Sequence, residues 1–130
     1  LGNEHTGQFF TPYHISRFMA EVTLTEELIT EKADRDEIIT ITVPCCGSGG
    51  MLVAALEVLK SRGVNYARNC YLDAADIDLR CVHMTYLQLS LAGAPAIVRH
   101  QNTLTQELWS VWYTPAFIMQ YPRFCKFDRN

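Results

Sequence analysis

An α/β fold, with a partial parallel sheet of three to four strands and flanking helices, is what the sequence predicts. Two observations carry that prediction. First, a β-branched run from Ile38 to Val43 leads into Pro44-Cys45-Cys46-Gly47-Ser48-Gly49-Gly50, and apolar residues then recur at helical spacing from Met51 to Leu59. Second, the alternation repeats downstream. Cys70 to Ala75 reads as a strand, Leu79 to Ala92 as a helix, and Pro95 to His100 as a third strand. Strands alternating with helices over short links imply a parallel sheet with right-handed crossovers.

The elements follow in order. Residues 1–11 are polar and glycine-containing until Phe9-Phe10. Thr11 is placed to cap a helix whose first residue is Pro12. Ile15, Phe18, Met19 and Val22, with Leu28-Ile29, supply its apolar face, and a break is expected near Thr23 to Thr25. Glu31 to Glu37 is charged and reads as a solvated connector. Ile38 to Val43 reads as a buried strand. The helix after the glycine turn runs from Gly49 to Arg62, stopped by Gly63. Asp76-Ile77-Asp78 closes the second strand, with Asp78 as cap of the next helix and Gly93 as its stop. After the third strand come Gln101-Asn102-Thr103-Leu104. Thr105 to Trp112 is expected to form a short helical turn, and a doubtful fourth strand falls near Ala116 to Met119. The chain thus divides into an N-terminal turn segment (1–11), a helix plus βαβαβ core (12–104) and an aromatic tail (105–130), all in one domain.

Composition narrows the function. The net charge is -3, against a self-sufficient nucleic-acid binder with a basic face. No apolar run reaches the length of about 18 residues that a membrane span requires. No signal-peptide pattern opens the chain, and Leu1 reads as a start trimmed from something longer. The five cysteines stand at irregular spacing, with no Cys-x-x-Cys pair, so no metal site is expected. Reduced thiols in a cytoplasmic protein are the simplest account. A three-stranded parallel sheet leaves an apolar edge, to be covered by the tail, by a protein partner or by a second copy. Trp109, Trp112, Tyr113, Phe117, Tyr121, Phe124 and Phe127 read as that cover, and Arg123, Lys126 and Arg129 as a solvated tail.

Ligands of open parallel sheets sit outside the carboxyl ends of the strands. Three segments fall there: Cys45 to Gly50, Asp76 to Asp78, and Gln101 to Leu104. Glycines allow close backbone approach, an acid after the second strand accepts ribose hydroxyls, and an amide such as Asn102 can meet an adenine edge. Each residue also has a plain structural reading: a tight strand–helix turn, a helix cap, a loop turn. Cys46, near a helix start, reads either as a thiol of lowered pKa or as a packed small residue.

Gly7-Gln8-Phe9-Phe10-Thr11-Pro12 before a helix, then Pro44-Cys45-Cys46-Gly47-Ser48-Gly49-Gly50-Met51-Leu52, then Asp76-Ile77-Asp78, resembles the N6-adenine DNA methyltransferases. The likeness is to the modification subunit of type I restriction systems and its plasmid- and phage-borne relatives, and covers roughly residues 6–104. It implies a Rossmann-like methyltransferase fold, S-adenosyl-L-methionine as cofactor and DNA as partner, the latter through parts not evident in this chain. By resemblance, Phe9, Phe10, Thr11 and Pro12 touch the methionine end, with Pro44, Cys46, Gly47, Ser48 and Gly49 forming the turn against it. Asp76 holds the ribose, Ile77 lies on the adenine ring and Asn102 meets its amino edge.

The sequence departs from that pattern twice. Val43 stands where the family usually has an acid before the proline, one that assists the methionine amino group. The tetrapeptide of Asn or Asp, Pro-Pro, then Tyr or Phe occurs nowhere in these 130 residues. The nearest stretch is Tyr113-Thr114-Pro115-Ala116-Phe117, which makes Thr114, Pro115 and Phe117 degenerate catalytic candidates. The tetrapeptide's polar groups accept the protons of a weakly nucleophilic amine while its aromatic stacks on the extruded base. Methyl transfer to adenine is therefore expected by resemblance but not from this chain alone. The alternative is a catalytically degenerate binding or regulatory module attached to restriction-modification or mobile-element DNA processing.

Overall fold

A computed structural model describes residues 2–3, 8–9 and 11–128. The fold is α/β and Rossmann-like, with a mostly parallel sheet of four strands in the order β3-β4-β5-β6. A small antiparallel pair, β1 (Gly2–Asn3) with β2 (Gln8–Phe9), precedes it. Phe9 therefore has its backbone in β2, while Phe10 lies outside the described residues.

Helix α1 spans Tyr13–Thr23, with Pro12 rather than Thr11 at its N-cap. Proline's fixed φ of -57° and an extended ψ of 145° leave its carbonyl free to accept from Ile15 and Ser16, both at 3.1 Å. The break falls where expected: α2 covers Glu26–Asp34, and the Thr25 side chain accepts from Leu28 N–H at 3.2 Å. The charged stretch from Glu31 is thus the end of a helix before it is a connector.

The expected apolar face of α1 is turned the wrong way round. Ser16 and Ala20 are its buried residues, while Ile15, Phe18, Met19 and Val22 are exposed. Small side chains let α1 lie close on α3 (Gly50–Ser61), where Tyr13 bonds Glu57 and the Arg62 guanidinium bonds the Leu24 carbonyl. The large residues have no room on that side.

Strand β3 (Ile39–Val43) pairs in parallel with β4 (Cys70–Asp76), and β4 with β5 (Ala96–Asn102). A four-residue helix, α4 (Tyr66–Asn69), leads into β4, and α5 (Leu79–Leu91) joins β4 to β5. Both crossovers step in one direction along the sheet. Right-handedness then puts α3 and α5 on the same face. Leu52, Val58 and Leu59 of α3, with Val82 and Leu89 of α5, pack there against Leu72, Ala74 and Val98. Burying each large aliphatic side chain is worth about 1.5–3 kcal/mol. As an outer strand, β3 is not fully buried: Thr40 and Thr42 are exposed, alternating with Ile39, Ile41 and Val43.

The tail differs most from expectation. Thr105 to Trp112 is not a helical turn; β6 (Glu107–Tyr113) runs antiparallel to β5, with a register shift at His100/Gln101. Ala116 to Met119 is not a strand but part of α6 (Pro115–Asp128). That helix lies on the second face of the sheet, where Phe117 and Phe124 pack with Ile38, Tyr71 and Ile97. Through β6 the tail pairs with the β5 edge, but of its aromatic residues only Phe117 and Phe124 are buried as cover. Trp109, Trp112, Tyr113 and Tyr121 are exposed, and the side chains of Lys126, Phe127 and Arg129 lie outside the described residues. Arg123 is no solvated residue: it donates to the Arg68 carbonyl at 3.1 Å and to Asn69 Oδ1 at 3.2 Å. No described helix is long and apolar enough to cross a membrane.

Candidate functional site

The carboxyl ends of β3, β4 and β5 share one rim, and side chains tie them together. Cys46 N–H donates to the Ala75 carbonyl at 2.8 Å. Asp76 Oδ2 accepts from Gly47 N–H at 3.0 Å, and its Oδ1 accepts from Asp78 N–H at 2.8 Å. His100 Nε2 donates to the Ile77 carbonyl at 2.9 Å. Thr103 Oγ1 donates to the Pro44 carbonyl at 2.8 Å, linking the third loop back to the first. The glycine turn, the aspartate and the asparagine loop are thus joined at one end of the sheet.

Local sequence explains the turn. Gly47 and Gly49 both take positive φ, 55° and 89°. Gly49 also has a packing reason for carrying no side chain. A Cβ there would stand 3.0 Å from Thr85 Oγ1 and 3.2 Å from Thr85 Cα. Its bare face meets α5, not the cavity. Cys46 is buried, with Sγ 3.3 Å from Thr85 Oγ1. Burial, reinforced by the Asp76 charge, pushes its thiol up to about 11, so the lowered-pKa reading fails. Cys45 beside it is exposed.

A cavity of about 180 Å³ opens beside the turn, lined by Thr11, Ser16, Val43, Cys45, Cys46, Gly47, Ser48, Gly50 and Met51. Sites for whole drug-sized ligands run to about 300–1,000 Å³. This cavity has room for only part of such a molecule. A larger hollow of about 620 Å³ lies among Glu26, Glu31, Asp34 and Arg35 on α2, away from the strand ends. It is an open surface between helical side chains.

Asp76 is buried, and each carboxylate oxygen holds one N–H. A carboxylate offers about four acceptor positions, so two remain for hydroxyls. Asp78 is a helix cap: its Oδ1 accepts from Arg80 N–H at 2.8 Å and its carboxylate pairs with the Arg80 guanidinium. Ile77 is exposed at the rim. Asn102 stands at the end of β5, but its Oδ1 already accepts from Leu104 and Thr105 N–H at 3.0 and 3.3 Å. Its oxygen serves the turn, which leaves the NH₂ as the group available to a ligand.

A match to the family model for N-6 DNA methylases extends over residues 2–128. The chain belongs to the N-6 DNA methylase family. No curated protein matches it. The family generally uses S-adenosylmethionine and acts on DNA. The site fits such a cofactor in two respects: acceptor positions remain on Asp76, and Ser16, a residue lining the cavity, carries a buried hydroxyl without a partner.

Thr114, Pro115 and Phe117 do not join this site. Because β6 is antiparallel, its C-terminal end lies beside the start of β5, where Thr114 N–H donates to the Ala96 carbonyl at 3.0 Å. β5 has seven residues at about 3.3 Å each, so Thr114 is roughly 20 Å from the rim. Its buried Oγ1 donates to the Ala94 carbonyl and accepts from Ala96 N–H, at 2.8 and 2.9 Å. Phe117 is core. Among the described residues, no group of three or more His, Cys, Asp or Glu side chains is placed to hold a metal ion.

Proposed function

We propose that this chain binds S-adenosyl-L-methionine at the rim formed by β3, β4 and β5, as the cofactor domain of an N6-adenine DNA methyltransferase-like protein, and that it transfers no methyl group by itself. The observation that carries the reading is the ring of hydrogen bonds from Pro44 through Thr103 and from Gly47 through Asp76. It presents a glycine turn, an acid and an amide loop side by side. Thr11, Pro12, Pro44, Cys46, Gly47 and Ser48 surround the methionine end, Asp76 accepts from the ribose, and Ile77 supports the adenine. Asn102 donates through its NH₂ to a ring nitrogen. When bound, the cofactor supplies an electrophilic methyl group, and the chain's own groups hold and orient it.

The position of Thr114 supports the second half of the proposal. No residue at the rim supplies the amide-proline-proline-aromatic group that makes the adenine amine reactive. That same observation favours a regulatory or binding role in restriction-modification or mobile-element DNA processing over catalysis. Two measurements test this. Isothermal calorimetry with S-adenosylmethionine is expected to give weak binding. Tritiated methyl transfer to unmodified DNA is expected to give none. Absence of binding overturns the first half, and robust adenine methylation by the isolated chain overturns the second.

A further inference from the structure

Among the described residues of the cavity, Ser16 stands out as a buried polar side chain without a partner. It is 1% exposed, and its Oγ has no hydrogen-bond partner. A serine inside a helix ordinarily returns its hydroxyl to the carbonyl one turn back. Here the Pro12 carbonyl is held by the Ile15 and Ser16 amides. A buried hydroxyl without a partner is destabilising, so such groups are uncommon and invite a missing partner.

Backbone carbonyls of the turn already accept hydrogen bonds, whereas Ser16 Oγ accepts none. The Pro44 carbonyl accepts from Thr103, the Cys46 carbonyl from Gly49 N–H, the Gly47 carbonyl from Thr85, and the Ser48 carbonyl from Gln88. Among the described residues no charged side chain lines the cavity, and Val43 contributes only a hydrocarbon wall. Helix α3 starts at Gly50, so its open amides and positive dipole end favour a carboxylate there. An ammonium in the same cavity is best met by a neutral acceptor that is not already bonded.

We propose that Ser16 Oγ is that acceptor: it positions the α-ammonium of the cofactor's amino-acid end, taking the place of a carboxylate at position 43. The inference rests on the proposed cofactor reading. It explains how a pocket with valine at that position retains a contact for the ammonium.

Calorimetry of the full chain with two probes tests it. S-adenosylmethionine carries the amino-acid end, and 5′-methylthioadenosine keeps the nucleoside and sulfur but lacks that end. Ser16→Ala is expected to weaken S-adenosylmethionine binding about tenfold while leaving methylthioadenosine binding unchanged. Its melting temperature is expected not to fall, because the substitution removes an unpartnered hydroxyl, and this separates positioning from structural support. Equal S-adenosylmethionine affinity in wild type and Ser16→Ala overturns the Ser16 assignment and leaves the cofactor reading standing. Failure of the wild-type chain to bind either probe overturns the cofactor reading and this inference with it.

Discussion

Asp76 reaches from the end of β4 to the backbone of Gly47, twenty-nine positions earlier, and accepts its N–H at 3.0 Å. The carboxylate thereby sets the shape of the glycine turn as well as offering acceptors to a ribose. Removing it acts on both. Asp76→Ala is expected to abolish cofactor binding and to lower stability by about 1.5–3 kcal/mol, since hydrogen bonds to a charged acceptor are lost. Urea denaturation beside calorimetry checks this. Unchanged cofactor affinity would mean that the ribose lies elsewhere.

Gly49 is held by packing. Its φ of 89° disfavours any side chain, and a methyl group would press on the Thr85 backbone as well as its hydroxyl. Gly49→Ala is expected to destabilise the domain by about 1–3 kcal/mol. Since Thr85 Cα cannot yield as a side chain can, Thr85→Ala in the same background should recover only part of the loss. The urea midpoints of the two variants measure it.

Thr114 separates a structural hydroxyl from a catalytic remnant. Thr114→Val keeps the shape and leaves Ala96 N–H unpaired, so a loss of about 1–3 kcal/mol is expected with cofactor affinity unchanged. Thr114→Asn, which restores the amide of the family's tetrapeptide, is expected to give no methyl transfer, because the position is at the far end of the sheet. Methylation by that variant would contradict the antiparallel placement of β6.

Val43 lines the cavity beside the turn. Val43→Asp adds an acceptor for an ammonium and is expected to raise S-adenosylmethionine affinity by about tenfold. Methylthioadenosine affinity should not change, which calorimetry reads directly.

The buried thiols set an alkaline limit. Desolvation raises Cys70 from 9.0 to about 12, and burial raises Cys46 from the same value to about 11. The unfolded chain therefore loses these protons first. Stability is complete below about pH 9 and falls as pH rises through the folded values. Melting curves between about pH 8 and pH 10.5 should show the decline, and Cys70→Ala should flatten it. Alkylation at about pH 8 should modify exposed Cys45 well before Cys46.

Much of the helix–β–α–β–α–β framework was legible because local signals agreed with the global fold. Gly63 and Gly93 follow α3 and α5 at positive φ, and Asp78 caps α5. β6 was not legible. Glu107 to Tyr113 lies at the sheet's edge, where aromatic residues on both faces hide the alternation that marks a strand, and the short turn that folds it back on β5 has no glycine, Gln106 taking the positive φ instead. Helix α6 contains Pro122, whose presence argues against a helix from sequence alone. On α1 the stripe of Ile15, Phe18, Met19 and Val22 faces outward, against the expectation, because close helix packing selects Ser16 and Ala20. For the site, strand ends located the three segments. The preoccupied Asn102 oxygen and the unpartnered Ser16 hydroxyl depend on tertiary geometry and leave no sequence signal.

Backbone amide shifts in a two-dimensional ¹H–¹⁵N spectrum, recorded while S-adenosylmethionine is added, test the rim most directly. The expected result is movement of Cys46, Gly47, Ser48, Ile77 and Asn102, with Thr114 and Phe117 still. Movement centred on the β6–α6 end or the α2 hollow, with the turn amides unchanged, would contradict it.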